Sequence, residues 1–164
     1  MNDEGTTSES HSATRAPREP ATAAIVRARR RPGAADWRLL AGAALTQVVA
    51  AAALRVMPLS ALRRRAEGWR SIVRTVVHGS DERVIWAIDA TGRRLGGLST
   101  CLVRALVAEL AIDDREDLVL TIGVKRTADG AVGAHAWLAR GDRVLIGSSP
   151  DGYVPLVEWG RRSA

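Results

Sequence analysis

The sequence predicts an α+β fold, with helices first and a small antiparallel sheet after them. Three observations carry this. Through about residue 110 the apolar residues fall in Ala- and Leu-rich runs or recur at three- and four-residue intervals, as a helix requires. From Leu118 onward the chain changes to short β-branched runs of strand length, separated by Asp-Gly and Gly-Asp turns. At 164 residues, with 46% hydrophobic and 26% charged residues, the chain is long enough for one domain with a real core and short for two.

The elements follow in order. Residues 1–35 are rich in Ser, Thr, Ala, Pro and Arg without an apolar period, and read as a disordered tail. Met1 to Ser10 is acidic and polar where a secretory signal is basic and then apolar, so no export signal is expected. Leu39 to Leu54 is an uncharged run dominated by Ala and Leu, helical by composition. Its 16 residues, interrupted by Thr46 and Gln47, fall short of the roughly 20 that cross a bilayer, so it reads as a buried or partner-facing helix and not a transmembrane span. Pro58 then ends or resets the chain.

Leu59 to Val77 predicts a second helix, with Leu59, Leu62, Ala66, Trp69, Ile72, Val73 and Val76 as its apolar stripe. Arg63, Arg64, Arg65, Arg70 and Arg74 lie largely off that stripe and read as its solvated face. Ser80-Asp81-Glu82 starts a third helix bearing Val84, Ile85, Trp86 and Ile88. Gly92 to Leu98 reads as a loop, after which Ser99 or Thr100 offers a side-chain oxygen as cap for a helix starting at Cys101. That helix is apolar nearly all round and should be buried on most sides. Leu118 to Val124, Val132 to Ala139 and Arg143 to Ile146 form a three-stranded antiparallel meander. A single domain is therefore expected over residues 36–160, with a helical subregion over 36–90 and the cysteine helix and sheet over 98–157.

A net charge of +6 and a pI near 11.0 favour anionic partners without choosing among nucleic acid, membrane and acidic peptide. Almost all of the basic charge is arginine, with Lys125 the one lysine. Base-stacking motifs and a zinc-finger spacing are missing, so no nucleic acid is expected. The single cysteine excludes an intramolecular disulfide framework and a Cys-rich metal site, and with no export signal it points to the cytoplasm.

The chemistry concentrates on Cys101 and His135. The first turn of a helix presents unpaired N–H groups and the positive end of the macrodipole, and a thiol placed there ionises more readily. In the strand Ala134-His135-Ala136-Trp137-Leu138, alternation puts His135 on one face with Trp137 and Ala139. A helix packed on that face would bring Cys101 within reach of His135. A thiol-imidazole pair supports acyl transfer, to water as a peptidase or to an amine as a transferase. Against this stands the plain alternative of a buried cysteine that merely fills space.

Three motifs taken together resemble a known family: Cys-Leu-Val-Arg-Ala-Leu at 101–106, Thr-Ile-Gly-Val-Lys-Arg at 121–126, and Ala-His-Ala-Trp-Leu at 134–138. Arg55-Val56-Met57-Pro58-Leu59 after the Ala/Leu helix and the Trp86 helix extend the likeness from about Trp37 to Leu156. The pattern is similar to the transglutaminase-like leader peptidases of lasso-peptide biosynthesis, the B-type microcin-maturation proteins. The resemblance implies a transglutaminase-like or papain-like core and a Cys-His-Asp triad that removes the leader from a ribosomally made precursor before a cyclase closes the macrolactam. Carried over, Cys101 is the nucleophile and His135 the general base. The family's acidic residue near the end of the strand after the His strand has no counterpart in Val144 to Ser149. Asp151 just beyond is taken as the third member, with Asp142 in the preceding turn as the other choice and Ser148 or a backbone oxygen as a substitute.

The resemblance also implies partners. These are the precursor peptide, a separate PqqD-like leader-recognition protein, since the tail is too short and polar to be that domain, and the lasso cyclase. By composition, exposed parts of the apolar helix over 39–54 or of the basic helix over 59–77 would be the docking surface for the recognition protein. No cofactor or metal is implied. The competing readings are a related acyltransferase and a non-catalytic basic scaffold that binds peptide or membrane.

Overall fold

The computed structural model describes residues 33–126, 130–147 and 152–160. Four helices come first: α1 (Ala34–Val56), α2 (Leu59–Val76), α3 (Asp81–Leu95) and, after a single 3-10 turn at Gly96–Leu98, α4 (Cys101–Ala111). Four strands follow: β1 (Leu118–Arg126), β2 (Val132–Arg140), β3 (Arg143–Ile146) and β4 (Val154–Gly160). The sheet is antiparallel throughout in the order β3-β2-β1-β4, and the α+β class holds.

The core lies between the helices and one face of the sheet. Val103, Leu106 and Val107 of α4 pack in a single buried cluster with Leu118 and Leu120 of β1, Ala136 and Leu138 of β2, and Ile146 of β3. In β1 and β2 these are alternate residues, so one face of the sheet is fully apolar and meets α4. On the other side α4 packs against Leu39, Ala43 and Ala50 of α1 and Val84, Ala87 and Ile88 of α3. The expected burial of α4 on most sides is what the structure shows.

Several boundaries differ from the sequence reading, each for a physical reason. α1 runs 23 residues rather than 16: it begins at Ala34 behind the N-cap Gly33, whose N–H donates to the Asp36 carboxylate, and continues to Val56. With that extension α1 is long and apolar enough to cross a membrane by length and composition, although part of it is buried in the fold. α3 continues through Gly92 to Leu95, where a loop was expected. Gly92 is buried inside the helix, where an added Cβ would lie 2.8 Å from Ser99 Oγ and 3.1 Å from Gln47 Oε1. The helix stops at Gly96, whose φ of 55° favours glycine.

The apolar stripe of α2 is not one face. Ala66 and Val73 are buried, but Trp69 and Ile72 are 54% and 58% exposed. Arg70, expected in solvent, is buried instead and donates from Nη1 to the Glu109 carbonyl (3.0 Å) and from Nη2 to the Ile112 carbonyl (2.7 Å). It thus satisfies carbonyls at the C-terminal end of α4 that the helix leaves unpaired. Burial lowers its pKa from the ordinary arginine value, with Arg115 acting in the same direction. Beside it Arg63 makes a two-pronged ion pair with the buried Glu109 (2.6 and 2.9 Å) and covers the Trp159 ring at 4.7 Å.

β4 is the strand that the sequence reading missed. Pro155 interrupts its pattern, and Val154, Leu156 and Val157 are exposed, so no clean alternation announces it. It is an edge strand, where a residue without an N–H is tolerated, and its pairing with β1 shifts at Ile122/Gly123.

Candidate active site

Cys101 is the first residue of α4, half-buried, and a free thiol. Thr100 is the N-cap. Its hydroxyl accepts from the Val103 N–H at 3.3 Å and its carbonyl from the Arg104 N–H at 3.0 Å. The N–H groups of Cys101 and Leu102 have no hydrogen bond among the described residues, so two donors are left beside the thiol.

The start of α4 is tied down by a buried polar network that the sequence reading took for a mere interruption of α1. Gln47 is fully buried; its amide donates to the Ala43 carbonyl (3.1 Å), the Ile88 carbonyl (3.2 Å) and Thr91 Oγ1 (2.6 Å). Its Oε1 accepts from the hydroxyl of Ser99, two residues before the thiol. One side chain thereby links α1, α3 and the approach to α4. Gln47→Leu leaves the buried Ser99 hydroxyl unpaired and is expected to cost about 1–3 kcal/mol, read as a lowered midpoint of thermal or urea unfolding.

His135 lies on β2 opposite Gly123 of β1. Its ring stacks on Trp137, with centroids 6.1 Å apart and planes at 25°, and lies 5.3 Å from the ring of Tyr153. Trp137 is only 6% exposed, and its ring crosses β1 where Gly123 has no side chain: an added Cβ would meet it at 2.8 Å. Lys125 Nζ stands 5.7 Å from the Tyr153 ring. Tyr153 was not singled out from the sequence, where an isolated tyrosine in a Gly/Pro segment carries no signal.

Strand alternation puts His135 and Trp137 on the face away from the apolar cluster, and here the structure departs from expectation. α4 covers the Ala136 and Leu138 face, because that is the set of side chains able to bury against it. Cys101, at the start of α4, packs with the core on the Ala136 and Leu138 side, so the expected meeting of thiol and imidazole across one face of β2 is not what the sheet register gives. Arg63 joins Glu109, near the end of α4, to Trp159, the β4 partner of Leu120. β3 pairs only with Leu138 to Arg140, so at His135 no strand among the described residues pairs with that edge of β2.

Asp151 lies outside the described residues. Its described neighbours are at the cluster: Tyr153 touches His135, and Gly152, with φ 75°, sits against the Lys125 side chain. Asp142 is an exposed residue of the β2–β3 turn, and it lines the same groove as Trp137 and Tyr153. Ser148 also lies outside the described residues. On the His135 face, Val119, Thr121, Trp137, Tyr153, Pro155 and Glu158 border an open groove of about 480 Å³.

A protein-family model described as the transglutaminase-like superfamily matches residues 44–158, most of the chain. The chain belongs to the transglutaminase-like superfamily. The match runs from α1 through β4 and includes Cys101, His135 and Gln47. Members of this superfamily are typically cysteine-dependent enzymes, and the domain fits a cysteine peptidase or an acyltransferase-like role. No curated protein and no solved structure matches the chain.

Proposed function

We propose that this transglutaminase-like protein is a cysteine peptidase that removes the leader from a ribosomally made lasso-peptide precursor, with Cys101 as nucleophile and His135 as general base. The observation that carries the reading is the position of the sole cysteine at the capped N-terminus of α4, inside a transglutaminase-like domain. The motifs at 101–106, 121–126 and 134–138 supply the narrower assignment to leader removal.

The chemistry follows from the groups present. His135 takes the proton from Cys101 Sγ, and the thiolate attacks the carbonyl carbon of the scissile peptide bond. The resulting oxyanion meets the unbonded N–H groups of Cys101 and Leu102 at the positive end of α4. The imidazolium then protonates the leaving amine, the C–N bond breaks, and a thioester remains on Sγ. Water, deprotonated by His135, hydrolyses the thioester and regenerates the thiol. Asp151 is assigned to orient His135, as the acidic residue nearest in sequence to Tyr153.

The partners under this reading are the precursor peptide, a separate PqqD-like leader-recognition protein and the lasso cyclase, in the cytoplasm. Incubating the protein with its precursor and the recognition protein and weighing the products tests it. The expected result is two fragments whose masses sum to precursor plus one water; amine-ligated product would instead make the protein an acyltransferase, and uncut precursor would reject both.

A further inference from the structure

The exposed sides of α1 and α2 each carry an apolar stripe that the function above does not use. On α1, Leu45, Val48, Val49 and Val56 are exposed at helical spacing, Leu45 by 60%. On α2, Trp69, Ile72 and Val76 are exposed at positions i, i+3 and i+7. The two stripes adjoin. Gly42 of α1 lies so close to Val76 of α2 that a Cβ there would overlap the Val76 carbonyl, which sets the exposed side of α2 next to that of α1.

The charges around this face have one sign. Arg38, Arg55, Arg64 and Arg65 are exposed and take part in no hydrogen bond or ion pair among the described residues. The acidic residues of the two helices are already engaged, Asp36 by Arg83 and Glu67 by Arg115. Arg38 and Arg55 stand towards opposite ends of the α1 stripe, and Arg65 lies on the α2 stripe one turn before Trp69. The face is thus an aliphatic strip about 34 Å long with tryptophan beside it and free guanidinium groups around it.

We propose that this face docks on an anionic phospholipid surface, with α1 and α2 lying in the plane of the interface. A folded protein partner would call for hydrogen-bonding groups within the patch, about one bond per 100–200 Å². Here the polar groups on the stripes are guanidiniums, which suit lipid phosphates while their stems and the Leu, Val, Ile and Trp side chains enter the acyl boundary. α1 lies on the surface and does not span it, since its inner face, Gln47 included, is committed to α3 and to Ser99.

Vesicle flotation of the full chain tests this, using phosphatidylcholine vesicles with and without an equal part of phosphatidylglycerol. The expected result is at least about tenfold more protein floating with the anionic vesicles, weakened by high salt. Val49→Asp with Ile72→Asp should abolish flotation, and Arg64→Glu with Arg65→Glu should lower it about tenfold or more, all four being exposed positions that leave the core intact. Each variant is checked by circular dichroism. No flotation with anionic vesicles, equal flotation with both kinds, or flotation untouched by either variant overturns the proposal. So does light scattering that shows a second copy, or the recognition protein, occupying the face while vesicles do not bind.

Discussion

Replacing Cys101 with alanine is expected to lower precursor cleavage by about 10³-fold or more while the domain stays folded. The thiol is half-buried at the first position of α4, where alanine keeps the helix start and the Thr100 cap in place. Fragment yield by mass spectrometry and the far-ultraviolet circular dichroism spectrum give the two readouts. His135→Ala should lose about 10²–10⁴-fold, the range for a general base, and it should do so without disturbing the Ala136 and Leu138 face that builds the core. Full cleavage by Cys101→Ala would remove the thiol from the mechanism.

The largest expected effect on stability belongs to Arg70→Met. The substitution keeps an apolar stem of similar length but withdraws both donors from the carbonyls of Glu109 and Ile112, which stay buried in the fold. Losing two charge-assisted bonds at a helix end is expected to cost about 2–4 kcal/mol, or roughly 5–15 °C in Tm. Arg70→Lys should recover only part of it, since one ammonium cannot match two carbonyls as the planar guanidinium does. Thermal melts followed at 222 nm measure both; an unchanged Tm in Arg70→Met would show that the two carbonyls find other partners.

How far the sequence speaks for the fold depends on how local the signal is. The α4 start was legible because a cap hydroxyl, a helix former pattern and the cysteine fall within four residues, and Thr100 caps as expected. β1 to β3 were legible from alternation and turns. β4 was not, because an exposed edge strand containing Pro155 has no face to bury and so no pattern to show. In α2, periodicity located an apolar stripe but could not say how wide the buried sector is. Arg70 turned inward where carbonyls needed donors, and Trp69, Ile72 and Val76 stayed out.

The candidate site divides in the same way. Cys101 and His135 could be named from residue type and element, and α4 and β2 are where they were placed. Which face of β2 meets α4 was not fixed by the sequence around His135, since both rows contain small and large apolar side chains. The pairing of Ala136 and Leu138 with Ile122 and Leu120 decides it, and that is a long-range fact. Tyr153 reaches His135 from a part of the chain that carries no pattern. Gln47 did leave a trace, as the one amide in an Ala/Leu helix, and a lone polar group there is a sign of a partner elsewhere in the core.

The central claim is that Cys101 and His135 work as a pair. The most direct measurement is the rate at which iodoacetamide alkylates the single cysteine between pH 5 and 9, in the unmodified protein and in His135→Ala. The account predicts alkylation at neutral pH at least about tenfold faster in the unmodified protein, with the difference closing at high pH where any thiol ionises. Equal rates across the whole range would contradict it.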